Sequence, residues 1–527
     1  MKVFNTATVC IPNQHYMVDL SNRVNRIIQQ YIEPGKYFSI NRGRQYGKTT
    51  TMFALAESLR AKYYVLQLSF EWADDFFESD YQMVTGFRDM VTRELRLEKV
   101  PNDLISEWGC EIGTGTPFTE LDNRITSLCR NSDKEIILMI DEVDRASNNK
   151  TMMLFLGLLR DKYIRRSQGR DCTFKSVILS GVYDVKSLKM KIRPEEDKRF
   201  NSPWNVAVDF DVEMSFSADE ITAMLEEYRS DYSLSFDAAY FGREIYDYTS
   251  GYPYLVSRLC EILDLKIPQE AEFDSKEKSW TAEGFQRAVH IFLEESNTLL
   301  EDLTKKLDEN ADLKKLVYEI IVMRHTISFN RDDNLIRMGI MFGWFKNENG
   351  KVAIANRIFE VRIYNKLLLE KTSTKIYKAS DVEKYKLKSA TELDMDAIVE
   401  RFAVHFKTIY ADRTSDFIED EARIIFLTFL KPIINGVGNY YLEAEIADKS
   451  RTDIVVDYHG QQYIIEIKIW HGESYETAGK EQLCGYLDKY GLKKGWLISF
   501  CFNKNKSELI GTYTHEIQDK IVSETVV

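Results

Sequence analysis

The chain has 527 residues, 44% of them hydrophobic and 29% charged, so we expect an ordinary globular protein with roughly two to four domains. Its formal net charge of -13 gives no reason to expect a protein that coats nucleic acid or membrane by bulk electrostatic attraction. The seven cysteines are scattered and never spaced as C-x-x-C, which predicts reduced thiols rather than a structural zinc site. Because the sequence contains neither a signal-peptide pattern nor an apolar run of membrane-spanning length, we expect a cytoplasmic protein with no membrane partner.

Short apolar runs alternate with helical patterns from residue 36 to about residue 215. The run YFSI precedes the helical pattern TTTMFALAESLRAKY, and the runs YVLQLSF, EIILMI and SVILSG follow in that order. Apolar runs of this length, bounded by polar residues, are typical of strands that are buried on both faces of a sheet. Their alternation with helices predicts an α/β domain over 1–215, built on a doubly wound parallel sheet.

The rest of the chain divides into four predicted segments. Helical patterns dominate from residue 216 and predict a helical lid over 216–305. Two helices and a hairpin around NENGK predict a winged helix over 306–371. The polar, charge-rich segment 372–395 is the predicted linker, and 396–527 is predicted to be a separate α/β domain.

The stretch GRQYGKTT, Gly43–Thr50, ends like a phosphate-binding loop but lacks the opening glycine. The G-x-x-x-x-G-K-[ST] pattern places that glycine at position 42, which is arginine. Such a loop needs a tight turn after a buried strand, with backbone N–H groups around the phosphate at a helix N-terminus. Gly47, Lys48 and Thr49 make the closest phosphate contacts, so Lys48 would reach the outer phosphates of ATP and the Thr49 hydroxyl would bind Mg²⁺.

Asp141 and Glu142 come directly after the buried run EIILMI, where a Walker B pair belongs. Asp141 would hold Mg²⁺ through water, and Glu142 would polarise the water that attacks ATP. Either GKT or DE alone arises easily by chance at a turn or a strand end. Both together, in an α/β pattern, predict a site that binds and hydrolyses ATP.

Further ordered matches connect this region with a known family. Residues 4–257 resemble bacterial AAA-like ATPases of the signal-transduction NTPase clade, whose loop reads approximately PRQTGKTT and lacks the first glycine. The other matching segments are FNTAT at 4–8, HYMVD at 15–19, IDEVD at 140–144, SVILSGVYDV at 176–185, SPWNVA at 202–207 and TSGYPYLV at 249–256. By this resemblance the nucleotide contacts Gly43, Arg44, Gln45, Tyr46, Gly47, Lys48, Thr49, Thr50, Asp141 and Tyr16.

The resemblance also suggests roles for residues outside the loop. His15 and Tyr16 would lie near the nucleotide base, although a surface role for His15 is an equal alternative, and Ser180 would occupy the sensor strand. Gly251-Tyr252-Pro253 would end the lid near the nucleotide. A basic helix after Asp141 could supply an arginine finger to a neighbouring subunit, but a solvated basic face is the favoured interpretation. The arginines concerned are Arg160, Arg165 and Arg166.

A second candidate site lies in SRTDIVVDYHGQQYIIEIKIW, residues 450–470, which predicts a β-hairpin with its turn at His459-Gly460. Glu466 and Lys468 are two residues apart and point to the same face, and Asp453 can approach them across the hairpin. Asp453 and Glu466 could bind Mg²⁺, while Lys468 orients the nucleophile or stabilises developing charge. The alternative is a strand with one solvated, charged face.

The wider pattern resembles the PD-(D/E)XK nuclease superfamily, with a restriction-endonuclease-like fold over 396–510. R-T-D is followed after twelve residues by E-x-K, then by a helix with Gln482 and Tyr486, and then by the strand GWLISF. For the helical acidic metal ligand, Glu421 is the first choice and Glu419 or Glu445 the alternatives. No proline precedes Asp453, and residues 451–527 carry no net positive charge, so the resemblance implies the fold more strongly than the cleavage.

Together these features predict an ATP-driven enzyme whose nucleotide state controls a Mg²⁺-dependent nuclease acting on DNA or RNA. Its catalytic residues would be Glu142, Asp453, Glu466 and Lys468. A protein partner or a second copy of the chain is a further expected partner. The alternative is a nucleotide-switched signalling protein in which the C-terminal domain is a catalytically inactive scaffold for a protein partner.

Overall fold

A computed structural model of the protein describes most of the chain. The described residues are 2–143, 150–182, 204–321, 325–372, 387–389, 392–410, 419–434, 438–441, 454–458, 460–469, 473–501 and 511–527. They form two compact units. The first contains Met1–Tyr232, Ala238–Ser257 and Arg331–Lys346, and the second contains Ser233–Asp237, Arg258–Asn330 and Asn347–Val527.

The first unit is built on a four-stranded, fully parallel sheet in the order β1-β4-β3-β2. Its strands are β1 (Phe38–Asn41), β2 (Tyr64–Ser69), β3 (Ile136–Asp141) and β4 (Ser176–Gly181). Every residue of β3 and β4 is buried, as expected for strands covered on both faces. The predicted α/β fold with a parallel sheet is therefore confirmed.

Helices cover both faces of this sheet because alternate strand residues point to opposite sides. Leu138 packs into a core with Phe87 and Phe155, whereas its neighbour Met139 packs into a second core with Leu55. The helices of the first unit up to residue 249 are α1 (Ser21–Ile27), α2 (Lys48–Leu59), α3 (Asp80–Leu97), α4 (Asn102–Trp108), α5 (Pro117–Asn131), α6 (Lys150–Ser167), α7 (Ala218–Tyr232) and α8 (Ala238–Thr249). A π-helical turn, Ile28–Ile32, continues α1.

Helices dominate the next part of the chain, as the sequence predicts. They are α9 (Pro253–Leu265), α10 (Lys276–Ser279), α11 (Ala282–Glu294), α12 (Thr298–Glu309), α13 (Ala311–Ile321), α14 (Asn334–Met341) and α15 (Arg357–Thr372). The hairpin of β5 (Phe345–Glu348) and β6 (Lys351–Ile354) turns at Asn349 and Gly350, where NENGK predicts it. The winged-helix assignment and the predicted domain boundaries stay predictions.

The C-terminal part of the second unit contains a six-stranded mixed sheet in the order β13-β14-β12-β11-β10-β9. Its strands are β9 (Gly438–Tyr441), β10 (Ile454–Tyr458), β11 (Gln461–Ile469), β12 (Lys494–Phe500), β13 (Gly511–Ile517) and β14 (Lys520–Val526). Its helices are α16 (Met395–Tyr410), α17 (Glu419–Ile434) and α18 (Glu473–Lys489). β10 and β11 form the predicted hairpin, with Gly460 at φ 75° in its turn.

Helices lie on both faces of this sheet. Phe402 and Phe406 of α16 pack against Phe500 on one face. On the other face α18 approaches so closely that a Cβ atom at Gly479 would lie 3.3 Å from the Lys468 side chain. Most of the predicted linker lies outside the described residues; β7 (Leu387–Ser389) and β8 (Glu392–Leu393) are its described parts. Within the described chain, no helix is long and apolar enough to cross a membrane.

Asp396 joins α16 to the sheet and gives a test of this packing. Its carboxylate accepts hydrogen bonds from Lys494 Nζ at 2.7 Å, Trp496 Nε1 at 2.9 Å and Ser523 Oγ at 3.0 Å. Partial burial raises the pKa of Asp396, but these donors outweigh it and hold the pKa below the ordinary value. A carboxylate with a lowered folded-state pKa stabilises the fold above the ordinary pKa, and this contribution is lost as pH falls through the folded-state value.

We therefore expect Asp396→Asn to lower the free energy of unfolding of this sheet by about 1–2 kcal/mol at neutral pH. The difference from the wild type should begin to shrink as pH falls below the ordinary carboxyl pKa of about 4, and should vanish below the lowered folded-state pKa, where the native carboxylate is protonated. Hydrogen exchange of the β12 amides in the full chain measures both quantities. Asp488→Asn, which alters a more exposed ion pair with Lys520, is the matched control. A difference that stays constant at low pH would contradict the electrostatic account.

Candidate functional site

The loop between β1 and α2 has the backbone of a phosphate-binding turn. Gly47, directly before α2, has φ 75° and Gln45 has φ 54°, both in the left-handed region. This conformation is accessible to glycine at little steric cost, which explains why position 47 requires glycine. Among the described residues no side chain caps α2, and its first turn contains no acidic residue. A helix N-terminus of this kind is favourable for an anion.

Lys48 is held above this turn by backbone oxygens. Its Nζ donates to the carbonyl of Arg42 at 3.1 Å and to that of Gly43 at 3.0 Å, and the residue is only 7% exposed. The ammonium group is thus placed over the loop, on the same side as the N-terminus of α2. A phosphate bound there would meet both the helix N–H groups and a positive charge.

Thr49 and Asp141 meet although the sequence separates them widely. The Thr49 hydroxyl donates to Asp141 Oδ2 at 2.8 Å. Asp141 Oδ1 accepts the N–H of Glu142 at 3.0 Å, and Glu142 has φ 56°. A hydroxyl and a carboxylate at hydrogen-bond distance are oxygen ligands of the kind that Mg²⁺ prefers. The arrangement agrees with the two roles expected from the sequence.

Ser180, the predicted sensor-strand residue, lies on β4 between the strands that carry the loop and Asp141. β4 pairs with β1 on one side and β3 on the other, and Ser180 is opposite Ile40 of β1. Its hydroxyl is buried and has no hydrogen-bond partner among the residues that the structure describes. Buried hydroxyls are normally paired, so an unpaired one at this sheet edge fits a polar ligand bound nearby.

The segment Gly251-Tyr252-Pro253 contacts the loop. The Tyr252 hydroxyl donates to the carbonyl of Arg44, and the rings of Tyr252 and Tyr46 lie 4.5 Å apart, edge to face. Gly251 has φ 70°, and a Cβ atom there would collide with the backbone of Phe216. These contacts join the loop to the first turn of α9. Sequence analysis places the segment near the nucleotide but does not identify these partners.

The N-terminal segment also contacts the loop. The Cys10 N–H donates to Thr50 Oγ1 at 3.3 Å. His15 Nδ1 accepts the Ile11 N–H at 2.8 Å, and partial burial lowers the pKa of His15, which favours the neutral ring. Tyr16 is only 1% exposed and its hydroxyl donates to Asp231 at 2.9 Å. His15 therefore has a specific internal bond and Tyr16 a packed position, whereas direct contact of either with a base stays a prediction.

The structure shows internal partners for two of the three arginines on α6, Arg165 and Arg166. Arg165 pairs with Asp161 at 2.8 Å and also with Asp122 and Asp171. Arg166 donates to the carbonyls of Gly35, Phe174 and Lys175 and stacks on Tyr37 and Tyr163. Neither is a free arginine finger or a purely solvated charge, because both are used in contacts within the first unit. The sequence places them on a basic helix and could not show these partners.

A family described as the AAA-like domain matches residues 7–361 of the chain. The chain belongs to this family. Similar solved structures include the Walker-type ATPase PABY2304 of Pyrococcus abyssi, at 10% identity over 68% of this chain and 99% of that chain, with a TM-score of 0.46. The ORC2 protein of Aeropyrum pernix is 12% identical over 70% of this chain and 98% of that chain, with a TM-score of 0.37. The RuvB Holliday junction branch migration motor of Thermotoga maritima is 11% identical over 64% and 92% of the two chains, with a TM-score of 0.31.

At these identities the likeness to solved structures concerns the fold alone. No curated protein matches the chain by sequence. Membership of the AAA-like family, together with the parallel sheet, indicates a nucleotide-binding function for the first 360 or so residues. The family match ends at residue 361 and so does not cover the C-terminal sheet.

The second candidate site lies on β11, beyond the AAA-like domain. Glu466 is completely buried, and Lys468 Nζ lies 2.8 Å from its Oε1. The solvated-face interpretation is therefore wrong for Glu466. A buried carboxylate is costly unless it is paired, and Lys468 supplies the opposite charge on the same strand face.

The other predicted members of this site cannot be placed. Asp453 and Glu445 lie outside the described residues, and the structure describes the backbone but not the side chains of Glu419 and Glu421 in α17. Within the described residues, no group of three or more His, Cys, Asp or Glu side chains lies close enough to hold a metal ion. Gln482 and Tyr486 both lie on α18, as predicted.

The geometry of the loop leads to a direct test of nucleotide binding. Lys48→Ala should weaken ATP binding and hydrolysis on the order of 100-fold or more, because it removes the positive charge over the phosphates. Glu142→Gln should keep ATP binding but stop turnover, because the amide cannot activate water. Binding of a fluorescent ATP analogue and phosphate release measure the two effects. Lys62→Ala, just beyond the end of α2 and exposed, is the control. Wild-type turnover in Lys48→Ala would refute the assignment.

Proposed function

We propose that the protein binds and hydrolyses ATP with Mg²⁺, and that its nucleotide state controls a metal-dependent, nuclease-like C-terminal domain. The observation that supports ATP binding and hydrolysis is the Thr49–Asp141 hydrogen bond, together with the buried Lys48 ammonium. Lys48 would exchange its loop carbonyls for the outer phosphates. Thr49 and Asp141 would hold Mg²⁺, which neutralises phosphate charge when bound, and Glu142 would orient the attacking water.

For the C-terminal domain, the register of the hairpin supports a metal site. β10 and β11 are antiparallel, and Ile454 lies opposite Ile465. We propose that Asp453, which directly precedes β10 in the sequence and lies outside the described residues, acts together with Glu466. These carboxylates would then hold Mg²⁺, which polarises a phosphodiester when bound, and Lys468 would stabilise the charge that develops. The substrate class would be DNA or RNA.

Control of this domain by ATP would require a physical connection, and we propose one that runs through contacts within the second unit. The chain enters this unit within α9, whose first residue, Pro253, would lie 3.6 Å from a Cβ atom at Gly47 of the loop. Further along α9, Arg258 Nε donates to Glu295 at 3.0 Å. Glu295 directly follows α11, the helix whose Leu293 carbonyl accepts a hydrogen bond from Arg362 of α15.

The connection ends at the C-terminal sheet. Tyr440 of β9 donates from its hydroxyl to Asn365 Oδ1 of α15 at 2.8 Å, and its ring lies 5.8 Å from that of Tyr364. β9 pairs directly with β10, the strand next to Glu466. A movement of α9 could therefore reach the candidate metal site through α11, α15 and β9. Coupling along such a route has to be demonstrated by perturbing a member of it.

The second candidate function keeps the nucleotide switch but makes the C-terminal domain an inactive scaffold for a protein partner or a second copy of the chain. One observation favours it: Glu466 is 0% exposed and already paired with Lys468. A carboxylate in this state needs to leave its partner before it can hold a metal ion. Metal binding to the intact protein therefore separates the two functions.

The nuclease proposal predicts that Asp453→Ala and Glu466→Gln abolish cleavage while ATP hydrolysis stays unchanged, because the variants leave the loop intact. Lys468→Ala should slow cleavage by roughly 100- to 1,000-fold, because it removes electrostatic stabilisation. A panel of DNA and RNA substrates with Mg²⁺ or Mn²⁺, with and without ATP, measures this. Glu481→Gln, an exposed acidic position on α18, is the control. Absence of cleavage and of metal binding in the wild type would leave the scaffold function.

The coupling proposal predicts that Tyr440→Phe uncouples the C-terminal sheet from the nucleotide state, because it removes the hydrogen bond to Asn365. Hydrogen exchange of β10 and β11 should change on ATP binding in the wild type and respond much less in Tyr440→Phe. ATP hydrolysis should stay near the wild-type rate. Tyr513→Phe, on the far edge of the same sheet, serves as the control. An unchanged response in Tyr440→Phe would exclude this route.

A further inference from the structure

A second buried polar network lies on the C-terminal sheet, apart from Glu466. Glu524 of β14 is 1% exposed, and its Oε1 accepts the Ser499 hydroxyl at 2.9 Å. Its Oε2 lies 2.9 Å from Lys480 Nζ of α18 and 2.9 Å from His515 Nε2 of β13. Three elements of the domain therefore converge on one carboxylate. Burial of that charge is tolerable because a cation and two further donors satisfy it.

This network borders Lys468 on the strand side. β11 and β12 are parallel, and Lys468 lies opposite Ser499. Residues opposite each other in a parallel pair project from the same face of the sheet, so the Ser499 hydroxyl lies beside the Lys468 stem. The hydrogen bond from Ser499 to Glu524 holds the Ser499 side chain, the neighbour of Lys468, in one orientation.

The network also borders Lys468 on the helix side. A Cβ atom at Gly479 would lie 3.3 Å from Lys468 Cγ, so α18 covers the lysine stem at this point. Lys480, the next residue of α18, forms the ion pair with Glu524. The same carboxylate thus holds both the helix above Lys468 and the strand beside it. Glycine at position 479 is required by this close approach rather than by the backbone, since the position is helical.

We propose that Glu524, acting through Lys480 and Ser499, is a positioning residue that orients the Lys468 ammonium toward Glu466. This inference rests on the proposed function, because it assigns Lys468 a task at the candidate metal site. Groups that hold the neighbours of a functional side chain keep that side chain in one rotamer, and their removal typically lowers activity about 10- to 100-fold. Glu524 itself would touch neither substrate nor metal.

The test measures Lys468 directly in the full-length protein, independently of cleavage. Brief acetylation with acetic anhydride, followed by peptide mass spectrometry, gives the rate at which the Lys468 amine reacts relative to the other lysines. In the wild type the rate should be low, because the ammonium is paired with Glu466 and covered by α18. Glu524→Gln and Lys480→Met should raise the acetylation rate of Lys468 severalfold. Lys480→Arg, which keeps the positive charge, should keep the rate near the wild-type value.

Gly479→Ala provides a variant that leaves every hydrogen bond of the network in place. Its added methyl group meets the Lys468 stem, so it should also raise the acetylation rate of Lys468, and it keeps the test informative if Glu524→Gln fails to fold. Glu481→Gln, an exposed position on the same helix, should behave as the wild type. In a cleavage assay Glu524→Gln, Lys480→Met and Gly479→Ala should lower kcat about 10- to 100-fold and leave KM little changed.

The outcomes separate this inference from the proposed function. Altered Lys468 reactivity without cleavage by the wild type would support the positioning role and refute the nuclease. Cleavage by the wild type, with unaltered reactivity and kcat in Gly479→Ala and in Lys480→Met, would support the nuclease and overturn the positioning role. Unaltered Lys468 reactivity in all folded variants overturns the positioning role of Glu524, whether or not the wild type cleaves nucleic acid.

Discussion

The hydrogen bond between Thr49 and Asp141 is the constraint on which the first unit depends. It joins the first turn of α2 to the carboxyl end of β3, residues that are 92 apart in the chain. The bond can form because β4 inserts between β1 and β3 and aligns the ends of all three strands. Ligands of open α/β sheets bind at this edge because the loops that leave neighbouring strands diverge there. The sheet order therefore determines where the candidate nucleotide site lies.

Local patterns were sufficient to predict the elements that carry this site. The start of α2 at Lys48 follows from Gly47, whose left-handed backbone turns the chain into the helix. The strands β3 and β4 follow from uninterrupted apolar runs, since both faces of the sheet are covered. Asp141 and Glu142 could be placed because strand ends are marked by the first polar residue. Each of these signals is contained in a few neighbouring residues.

Contacts between distant segments could not be predicted. The Tyr252 hydroxyl and the Arg44 carbonyl are 208 residues apart in the chain, so their hydrogen bond depends on the tertiary fold. Arg165 and Arg166 have the same helical spacing as exposed residues, and only the fold shows their internal partners. β13 and β14 carry alternating polar residues without a strong apolar run, and their pairing revealed the environment of Glu524. The partner of a buried charge is a tertiary property that composition and spacing do not contain.

The position of β14 has a consequence for how the C-terminal domain is made. β14 follows every other strand of its sheet in chain order, yet it pairs with β12 on one side and β13 on the other. During synthesis the β10–β11 hairpin and β12 emerge before β14. Until β14 is made, β12 has no partner on the side away from β11. A strand edge that waits for a later partner is exposed until that partner is made, and exposed edges are prone to wrong pairing. A ribosome-bound chain lacking β14 would also lack Glu524, so the domain would be synthesised in a state without its buried polar network.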